Sequence, residues 1–327
     1  MLARVAAVIL AILGVAAAPE AMAGPAMLVD AGDDRVLYAE DPDTQWHPAS
    51  LTKIMTAYVT FEAIKEGKLA PETSIGCSAL ANSQGPTKVG LPVGATLTVE
   101  VALQALVVKS ANDVAVMLAE AVAGSHEAFV ERMNATAARL GMTRSKFVNA
   151  NGLPAPEQVT TARDMAKLAS AVFRDYPEHA RIWSLLEVQV GKRRLHTHNG
   201  LLTNYEGADG MKTGFICDSG FNVVASATRQ GHKLIAVVLG EATGGERSVR
   251  AASLLEHGFR TYGWKELFAA PTLRTLPVME DDREEVVRPR RVISHVCGTG
   301  GRVPVARVRT HKSKAGTRIS QARRRRP

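Results

Sequence analysis

Patterns typical of β-strands stand at the two ends of the chain's apolar body, and patterns typical of helices fill its middle. Residues 26–41, AMLVDAGDDRVLYAED, hold two short apolar runs around a turn rich in Gly and Asp, which predicts a β-hairpin. A second hairpin is predicted in FNVVASATRQGHKLIAVVLGEA, where two apolar runs flank Arg-Gln-Gly-His. Because single strands do not alternate with helices, a doubly wound parallel sheet is disfavoured. We therefore expect an α+β fold in which both ends of the chain build one antiparallel sheet, flanked by helices and joined to a helical lobe.

The middle of the chain predicts several helices. Residues 46–61, WHPASLTKIMTAYVTF, repeat apolar side chains at helical spacing from Ser50 onward, which is typical of an amphipathic helix packed on a core. A second helical stretch is expected to break at Lys109–Asn112 and to end at Gly124. The last helix is predicted over Glu246–Tyr262. Its expected buried stripe consists of Val249, Ala252, Leu255 and Phe259.

The first 23 residues have the pattern of a secretory signal peptide. Arg4 precedes the apolar run Val5–Ala18, and Ala21–Ala23 offers small residues for cleavage, so the mature chain is expected to begin at Gly24. A membrane anchor is the alternative, but the apolar run is shorter than the roughly 20 residues that span a bilayer. We expect an exported, periplasmic protein, and peripheral association with the inner membrane stays open.

The net charge of +8 is unevenly distributed along the chain. Residues 271–327 contain 15 Lys and Arg against 5 Asp and Glu, so the remaining residues carry −2. The Arg-rich, aromatic-poor composition predicts a basic, disordered tail that begins after Ala270 and adds nothing to the core. A catalytic body of residues 24–270 is therefore expected to fold by itself. We expect the tail to bind an anionic membrane or cell-wall surface, and nucleic acid is not an expected partner of an exported chain.

The cysteines and two histidines give weaker signals. Cys77, Cys217 and Cys297 allow at most one disulfide, and the sequence leaves open whether Cys77 and Cys217 meet. Cys217 is interpreted as a buried inert thiol, with a role as an oxidant sensor as the alternative. His196 and His198 are interpreted as surface residues rather than a metal pair, because no Cys or carboxylate nearby completes a site. No metal and no cofactor are expected.

Three short polar clusters carry the candidate chemistry. In Ser50–Lys53 the spacing of three residues brings a lysine amine to a serine hydroxyl, which needs a base to act as a nucleophile. Ser110–Asn112 offers a hydroxyl for proton relay and an amide for a peptide carbonyl. Lys212–Gly214 offers a cation and a hydroxyl to a carboxylate, with space for a ligand at the glycine, and Lys212 could lower the pKa of Lys53. Taken singly, each cluster is equally explained by helix caps or solvated lysines.

Taken together, S-x-x-K, S-x-N and K-T-G in this order resemble the motifs of the penicillin-recognising serine hydrolases. Residues 26–264, with segments such as HPASLTKIMTAYVTFEAI, FVNANGLP and HNGLLTNYEGADGMKTGF, are similar to the D-alanyl-D-alanine carboxypeptidases, the low-molecular-mass penicillin-binding proteins. The resemblance implies a fold of the β-lactamase and transpeptidase type. It also implies hydrolysis of the terminal D-Ala from peptidoglycan stem pentapeptides, and acylation by β-lactam antibiotics.

The resemblance further implies roles for individual residues. Ser50 attacks the D-Ala-D-Ala carbonyl and Lys53 takes its proton, while Ser110 and Asn112 assist proton transfer and hold the substrate backbone. The remaining site residues belong to the strand of the third motif. They are Lys212 and Thr213, which receive the terminal carboxylate, Gly214 beside them, and Phe215, whose backbone N–H forms the oxyanion hole with that of Ser50.

Three other functions stay as alternatives. A D,D-endopeptidase shares the three motifs and cuts cross-links instead of chain ends. A class A β-lactamase deacylates with a Glu in an E-x-x-L-N segment, and none occurs between Asn112 and Lys212. A secreted binding protein without turnover is disfavoured because all three clusters are intact. Many members of the family carry a β-rich domain and an amphipathic anchor helix after the catalytic body, and neither pattern follows Ala270 here.

Overall fold

The computed structural model describes residues 24–264, 270–279 and 297. The predicted signal peptide and most of the predicted tail lie outside these residues. The strands of the described part are β1 (Ala26–Asp30), β2 (Val36–Glu40), β3 (Ser74–Gly76), β4 (Thr96–Thr98), β5 (Glu187–Val190), β6 (Arg193–His196), β7 (Ala208–Ile216), β8 (Gly220–Arg229) and β9 (His232–Glu241). The α-helices there are α1 (Thr52–Lys65), α2 (Ala79–Asn82), α3 (Val99–Val108), α4 (Asn112–Ala123), α5 (His126–Arg139), α6 (Ala162–Asp175), α7 (Leu201–Asn204) and α8 (Gly244–Thr261). The 3₁₀ segments are Ala49–Leu51, Pro177–Ser184 and Tyr262–Trp264.

The main sheet is antiparallel and has the strand order β2-β1-β9-β8-β7. Leu28 of β1 is paired with Tyr38 of β2 on one side and with Ala236 of β9 on the other, so the two ends of the chain meet in one sheet. Both predicted hairpins, β1–β2 and β8–β9, are confirmed. Strand β7 pairs with β8 and forms the edge of the sheet.

Each face of this sheet is covered by a separate set of apolar side chains. Met27 and Val29 of β1 point into the larger core, which the helical lobe covers. Ala26 and Leu28 point to the opposite face, which α8 covers. Because successive side chains of a strand alternate between faces, a strand buried on both sides must be apolar throughout. This explains why the strand runs in the sequence lack polar residues at every second position.

Helix α1 lies inside the larger core rather than on its surface. The sequence predicted an amphipathic helix, but every residue from Thr52 to Phe61 is buried, so that prediction was wrong. Two threonines of the helix satisfy their hydroxyls with backbone carbonyls, since Thr56 Oγ1 donates to Ala150 O at 2.6 Å and Thr60 Oγ1 donates to Thr56 O at 2.8 Å. A helix enclosed on all sides also carries Lys53 into the interior.

The predicted break between α3 and α4 and the end of α4 at Gly124 are confirmed. The stripe predicted for the last helix is rotated from the buried one. Val249 is 68% exposed, and the buried residues of α8 are Ala251, Leu254, Leu255 and Gly258. The predicted helical period was correct, but the sequence allows a neighbouring face of the helix to be the buried one. Contact with β1, β8 and β9 decides that this neighbouring face is buried.

The predicted boundary at Ala270 is too early. Residues 271–279 pack on the body, with Leu273 buried and Arg163 donating to backbone carbonyls of this segment at distances down to 2.9 Å. A buried arginine needs acceptors for all its N–H groups, and the segment supplies three carbonyls beside the two oxygens of Asp43. The rest of the predicted tail, apart from Cys297, lies outside the described residues.

Cys217 and Cys297 form a disulfide, with a Cα–Cα distance of 6.0 Å. The interpretation of Cys217 as a free thiol was therefore wrong, and Cys77 is free and buried. In the described part of the chain no helix is long and apolar enough to cross a membrane.

Candidate active site

Ser50 lies in the 3₁₀ turn Ala49–Leu51, which leads directly into α1. Ala49 has φ of 48°, a conformation that a residue with a side chain adopts at a cost of about 1–3 kcal/mol. Two glycines enclose this turn. A Cβ on Gly152 would lie 1.9 Å from Ala49 O, and a Cβ on Gly214 would lie 3.1 Å from Ser50 N. The serine is therefore held between a loop on one side and the edge strand β7 on the other.

Lys53 is one turn further along and is 1% exposed. Its Nζ lies 3.0 Å from Ser50 Oγ and 2.6 Å from Asn112 Oδ1, and it also donates to the backbone carbonyl of Asn151. The predicted contact between Lys53 and Ser50 is therefore present in the structure, and Lys53 also connects the first cluster to the second.

The surroundings of Lys53 favour a neutral amine. Burial lowers the pKa of Lys53 well below its usual value, and the positive charge of Lys212 lowers it further, against the opposing charge of Asp113. A neutral amine has two hydrogens and one lone pair. Because Asn112 Oδ1 and Asn151 O can only accept hydrogen bonds, they take the two hydrogens, and the lone pair is left facing the Ser50 hydroxyl.

Ser110 and Asn112 lie at the junction of α3 and α4. Ser110 has φ of 59°, a second strained backbone position at the site, and both residues line the same cavity as Ser50. The Asn112 amide was predicted to hold a substrate carbonyl. Here its Nδ2 donates to the carbonyls of Gly85 and Pro86, at 3.0 Å each, while its Oδ1 accepts from Lys53. In this structure Asn112 therefore fixes the lysine and the neighbouring loop.

The third cluster lies on β7, across the cavity from Ser110. Lys212 is 2% exposed and donates to Thr213 O at 2.9 Å. Burial lowers the pKa of Lys212 to about 7, and the charge of Arg247 contributes to the shift. Gly214 was predicted to leave room for a ligand, but the space beside it is filled mainly by the Ser50 turn.

The three clusters surround a cavity of about 550 Å³. Phe215 lines it and packs against Phe221 with 4.3 Å between ring centroids. Lys53 and Lys212 are buried behind this lining and act on the cavity through Ser50 and through their charge. All the predicted site residues are thus brought together in one place. The lining residues are Ser50, Pro86, Thr87, Ser110, Asn112, Gly152, Leu153, His198, Thr213, Gly214, Phe215, Ile216, Phe221, Gly244 and Arg247.

Sequence reasoning missed Arg247, which lies in the first turn of α8 and lines the cavity. Its Nε is buried and has no hydrogen-bond partner among the described residues. Burial lowers the pKa of Arg247 to about 10, so the side chain stays cationic near neutral pH. An unpartnered guanidinium nitrogen in a residue that lines the same cavity as Thr213 suits a carboxylate. Nothing in the local sequence distinguishes this arginine from the others of the same helix.

Two further contributors were not assigned from sequence. Asn151 and Gly152 belong to the FVNANGLP segment, which carried part of the family resemblance and could have identified them.

His198 lines the cavity, whereas His196 lies 3.7 Å from Glu187, so the two imidazoles do not act as a pair. Within the described residues, no three His, Cys, Asp or Glu side chains gather as metal ligands.

A serine held before a buried helix, an amine at 3.0 Å and a K-T-G edge strand at the same cavity form the arrangement by which the chain resembles the penicillin-recognising serine hydrolases. The sequence model of the D-alanyl-D-alanine carboxypeptidase family matches residues 14–243, which include all three clusters. The chain belongs to this family.

Known proteins of the family share much of the chain. The D-alanyl-D-alanine carboxypeptidase DacC of Escherichia coli K12 is 38% identical over 252 residues, which are 75% of this chain and 63% of that protein. The chain thus spans slightly less than two thirds of this relative.

Solved structures extend the likeness to the fold. Penicillin-binding protein 5 of Haemophilus influenzae has a TM-score of 0.71 at 36% identity, covering 74% of this chain and 72% of the other. Penicillin-binding protein D2 of Listeria monocytogenes, in its cefotaxime-bound form, has a TM-score of 0.66 at 30% identity, covering 72% and 97%. The predicted fold class is therefore confirmed.

Proposed function

We propose that this protein is a serine-type D-Ala-D-Ala carboxypeptidase, which removes the terminal D-alanine from peptidoglycan stem pentapeptides. The observation that carries the proposal is the buried Lys53 amine, 3.0 Å from Ser50 Oγ, with two fixed acceptors that leave its lone pair to the hydroxyl. Membership of the family supports the choice of D-Ala-D-Ala as substrate.

In the proposed reaction, Ser50 Oγ attacks the carbonyl carbon of the penultimate D-alanine while its proton passes to Lys53 Nζ. The peptide bond breaks, the terminal D-alanine leaves as its amine takes up a proton, and Ser50 carries an ester. Water then cleaves the ester and restores the hydroxyl. Ser110, which lines the same cavity as Ser50, is proposed as the proton relay.

The developing oxyanion is proposed to bind the backbone N–H groups of Ser50 and Phe215. Loss of one such donor raises the barrier by roughly 3–4 kcal/mol in other enzymes. Strand β7 lies close to the Ser50 backbone, since a Cβ added at Gly214 would lie 3.1 Å from Ser50 N. This closeness supports the assignment.

The terminal carboxylate of the substrate is proposed to lie between Thr213 and Arg247, with Lys212 behind them. Thr213 and Arg247 both line the cavity, Arg247 Nε has no hydrogen-bond partner among the described residues, and Lys212 adds a second positive charge from the interior. Recognition of a free carboxylate favours a carboxypeptidase over a D,D-endopeptidase. The absence of an E-x-x-L-N segment disfavours a β-lactamase.

Penicillins and cephalosporins are proposed to acylate Ser50 by opening of the lactam ring. The cefotaxime-bound form of the Listeria protein supports this extension. Export to the periplasm is proposed on the signal-peptide pattern, and binding to an anionic wall or membrane surface is proposed on the +10 charge of residues 271–327.

The test is to incubate the purified chain with a pentapeptide that ends in D-Ala-D-Ala and to measure released D-alanine. Ser50→Ala is expected to abolish release and also the mass increase caused by benzylpenicillin. A penicillin adduct on another serine, or cleavage of cross-linked dimers without any release from the pentapeptide, would refute the proposal.

A further inference from the structure

Asn222 is a buried polar side chain in a strand that is otherwise largely apolar. It is 0% exposed and lies on β8 between Phe221 and Val223. Its side chain is on the same face of the strand as Val224, which belongs to the larger core. Because a buried amide is costly unless its hydrogen bonds are made, the partners of Asn222 indicate what it does.

The amide of Asn222 joins two separate segments of the chain. Its Nδ2 donates to the carbonyls of His47 and Pro48, at 3.0 and 3.3 Å, and these residues lead into the Ser50 turn. Its Oδ1 accepts from Gly240 N at 2.9 Å. Because the partners are two acceptors and one donor, only one orientation of the amide satisfies all three contacts.

The contact with Gly240 lies at an irregularity in the pairing of β8 with β9. The register changes between Phe221 and Val223, directly around Asn222, so β9 has one residue more than β8 over this stretch. Gly240 has a φ of +81°, and a Cβ there would lie 2.3 Å from Cζ2 of Trp46. The irregularity therefore brings β9 against the segment that precedes the proposed nucleophile.

Asn222 is also the cross-strand partner of Gly214 on β7. A Cβ on Gly214 would lie 3.0 Å from Pro48 O and 3.1 Å from Ser50 N, so β7 and the Ser50 turn are in close contact there. The two N–H groups proposed to bind the oxyanion belong to Ser50 and to Phe215, the residue after Gly214. One buried amide thus lies next to both halves of the proposed oxyanion hole.

We propose that Asn222 is a positioning residue, which fixes the Ser50 turn against β7 and thereby sets the separation of the two oxyanion-binding N–H groups. This inference rests on the proposed function and adds a residue that is not part of the cavity lining. Donors must lie where charge develops in the transition state, and a displacement of about 1 Å can cost about 10²-fold in rate. We therefore expect Asn222 to affect the chemical step and not the binding of the ligand.

The experiment compares the full-length unaltered chain with Asn222→Leu and with Asn134→Leu as the matched control. Asn134, on α5, donates to the carbonyls of Val130 and Phe147 and accepts from Phe147 N, at 2.8–3.0 Å, so the control loses the same kinds of contact in the helical lobe. Benzylpenicillin is the probe, and its acylation rate is measured against concentration. This separates the limiting rate of acylation from the noncovalent dissociation constant. Hydrogen exchange of the backbone N–H groups of residues 49–52 measures how firmly the turn is held.

In Asn222→Leu the limiting rate of acylation should fall about 10–100-fold, while the noncovalent dissociation constant changes by less than about threefold. Exchange at residues 49–52 should become at least about tenfold faster. Asn134→Leu should lose stability but keep the limiting rate and the exchange at the turn within about twofold of the unaltered chain. An unchanged limiting rate in Asn222→Leu, an equal loss in Asn134→Leu, or a loss confined to the dissociation constant would overturn the proposal.

Asn222→Asp covers the case in which Asn222→Leu does not fold. An aspartate side chain has the same size and keeps an acceptor for Gly240 N, but an ionised carboxylate donates nothing to His47 O or Pro48 O. Burial raises the pKa of such a carboxyl, and its protonated form can donate one hydrogen bond. The limiting rate relative to the unaltered chain should therefore rise at least about fivefold as the pH falls from about 8 to about 6, because the other titrating groups are common to both proteins. A ratio that stays constant over this range would contradict the positioning role.

Failure of the proposed function would give a different result. If the unaltered chain were not acylated, the assignment of Ser50 as nucleophile would fail, and the exchange at residues 49–52 would still decide whether Asn222 holds the turn. If the unaltered chain were acylated but released no D-alanine from the pentapeptide, the choice of substrate would fail. The acylation rates would then still decide the role of Asn222.

Discussion

Lys53 has an unusual position for a lysine, because it is buried and its amine contacts Ser50, Asn112 and the Asn151 carbonyl. Each contact has a separate consequence. Asn112 and the Asn151 carbonyl fix the amine in place, and burial together with the charge of Lys212 lowers the pKa of Lys53 well below its usual value. The position of the amine and the direction of this pKa shift both suit the general base that we propose.

Lys53→Arg is expected to lower the rate of acylation by benzylpenicillin roughly 10²–10⁴-fold, although both side chains are long and basic. A guanidinium stays protonated and cannot accept the serine proton. The measurement is the time course of covalent labelling followed by mass spectrometry. Lys65→Arg, on the exposed end of the same helix, is the control and should label normally. Near-normal labelling of Lys53→Arg would assign the base to another residue.

Arg247 is expected to distinguish a substrate with a free carboxylate from its amide. Arg247→Ala should lower kcat/KM on the acid about 10–100-fold, because a charged hydrogen bond is worth about 1.5–3 kcal/mol, and should change the amide little. Arg250→Ala, one turn later in α8 and paired with Glu40 and Glu241, is the control. An equal loss on acid and amide would show that Arg247 acts on the fold and not on the carboxylate.

At the scale of elements, the site depends on the close approach of three backbones. The 3₁₀ turn that carries Ser50 is wedged between the loop at Gly152 and the edge strand β7 at Gly214, with no room for a side chain at Gly152 and little at Gly214. The glycines are required by packing, and the strained φ of Ala49 shows that this packing overrides local preference.

Gly152→Ala is expected to displace the Ser50 turn, since its Cβ would fall 1.9 Å from Ala49 O at a φ of +84°. D-alanine release should fall by at least about tenfold, and the free energy of unfolding should drop by several kcal/mol. Gly67→Ala has a similar φ of +71° with open space around the Cβ, so it should lose only about 1 kcal/mol and keep its activity. Thermal unfolding and peptide assays of both variants make the comparison. Similar losses of activity and stability in the two variants would show that the positive φ, and not the clash with Ala49 O, causes the effect.

At the scale of the whole molecule, the chain after α8 is part of the folded body for at least ten residues. Asp43 and Arg163 form a buried ion pair with contacts of 2.6 and 2.8 Å, and Met279 N donates to the same aspartate at 2.9 Å. The remaining donors of Arg163 go to backbone carbonyls of residues 273–277. The segment is therefore held by a polar network that is complete only when it is bound.

A chain ending at Ala270 is expected to be less stable by about 2–4 kcal/mol than one ending at Met279. Arg163 would keep its charge but lose buried acceptors, and unsatisfied buried donors are costly. Both chains lack Cys297, so the comparison isolates residues 271–279. Chemical denaturation with circular dichroism is the measurement. Equal free energies of unfolding for the two chains would mean that water satisfies the N–H groups of Arg163 as well as the carbonyls of residues 271–279 do.

The two buried lysines should make stability depend on pH. The folded-state pKa of Lys212 is lowered to about 7 by burial and by Arg247, whereas an unfolded lysine keeps a pKa near 10.4. Between these values the unfolded chain binds a proton that the folded chain does not, so the free energy of unfolding rises with pH in this window. From pH 7 to 9 the unaltered protein should gain about 2 kcal/mol relative to Lys212→Met, measured by denaturant unfolding. Parallel curves for the two proteins would show that Lys212 remains charged in the fold.

The sequence alone was enough to predict the antiparallel sheet from both ends of the chain, the helical lobe and the eight candidate site residues that the structure places together. These features depend on short-range patterns, namely apolar periodicity and three motifs whose residue types suit one chemistry. These patterns can be recognised without the tertiary structure, because backbone geometry alone sets a period of two residues in a strand and of 3.6 residues in a helix.

The features that only the tertiary structure decided are those set by contacts between distant residues. Burial of α1 on every side, the partners of Lys53, the exposed Val249, the place of Arg247, the Cys217–Cys297 bridge and the binding of residues 271–279 all depend on which surfaces meet. Periodicity shows that a helix has an apolar side but not whether a second element covers the other side. A charge in the sequence likewise has no fixed pKa until its neighbours and its distance from water are known, and both come from packing.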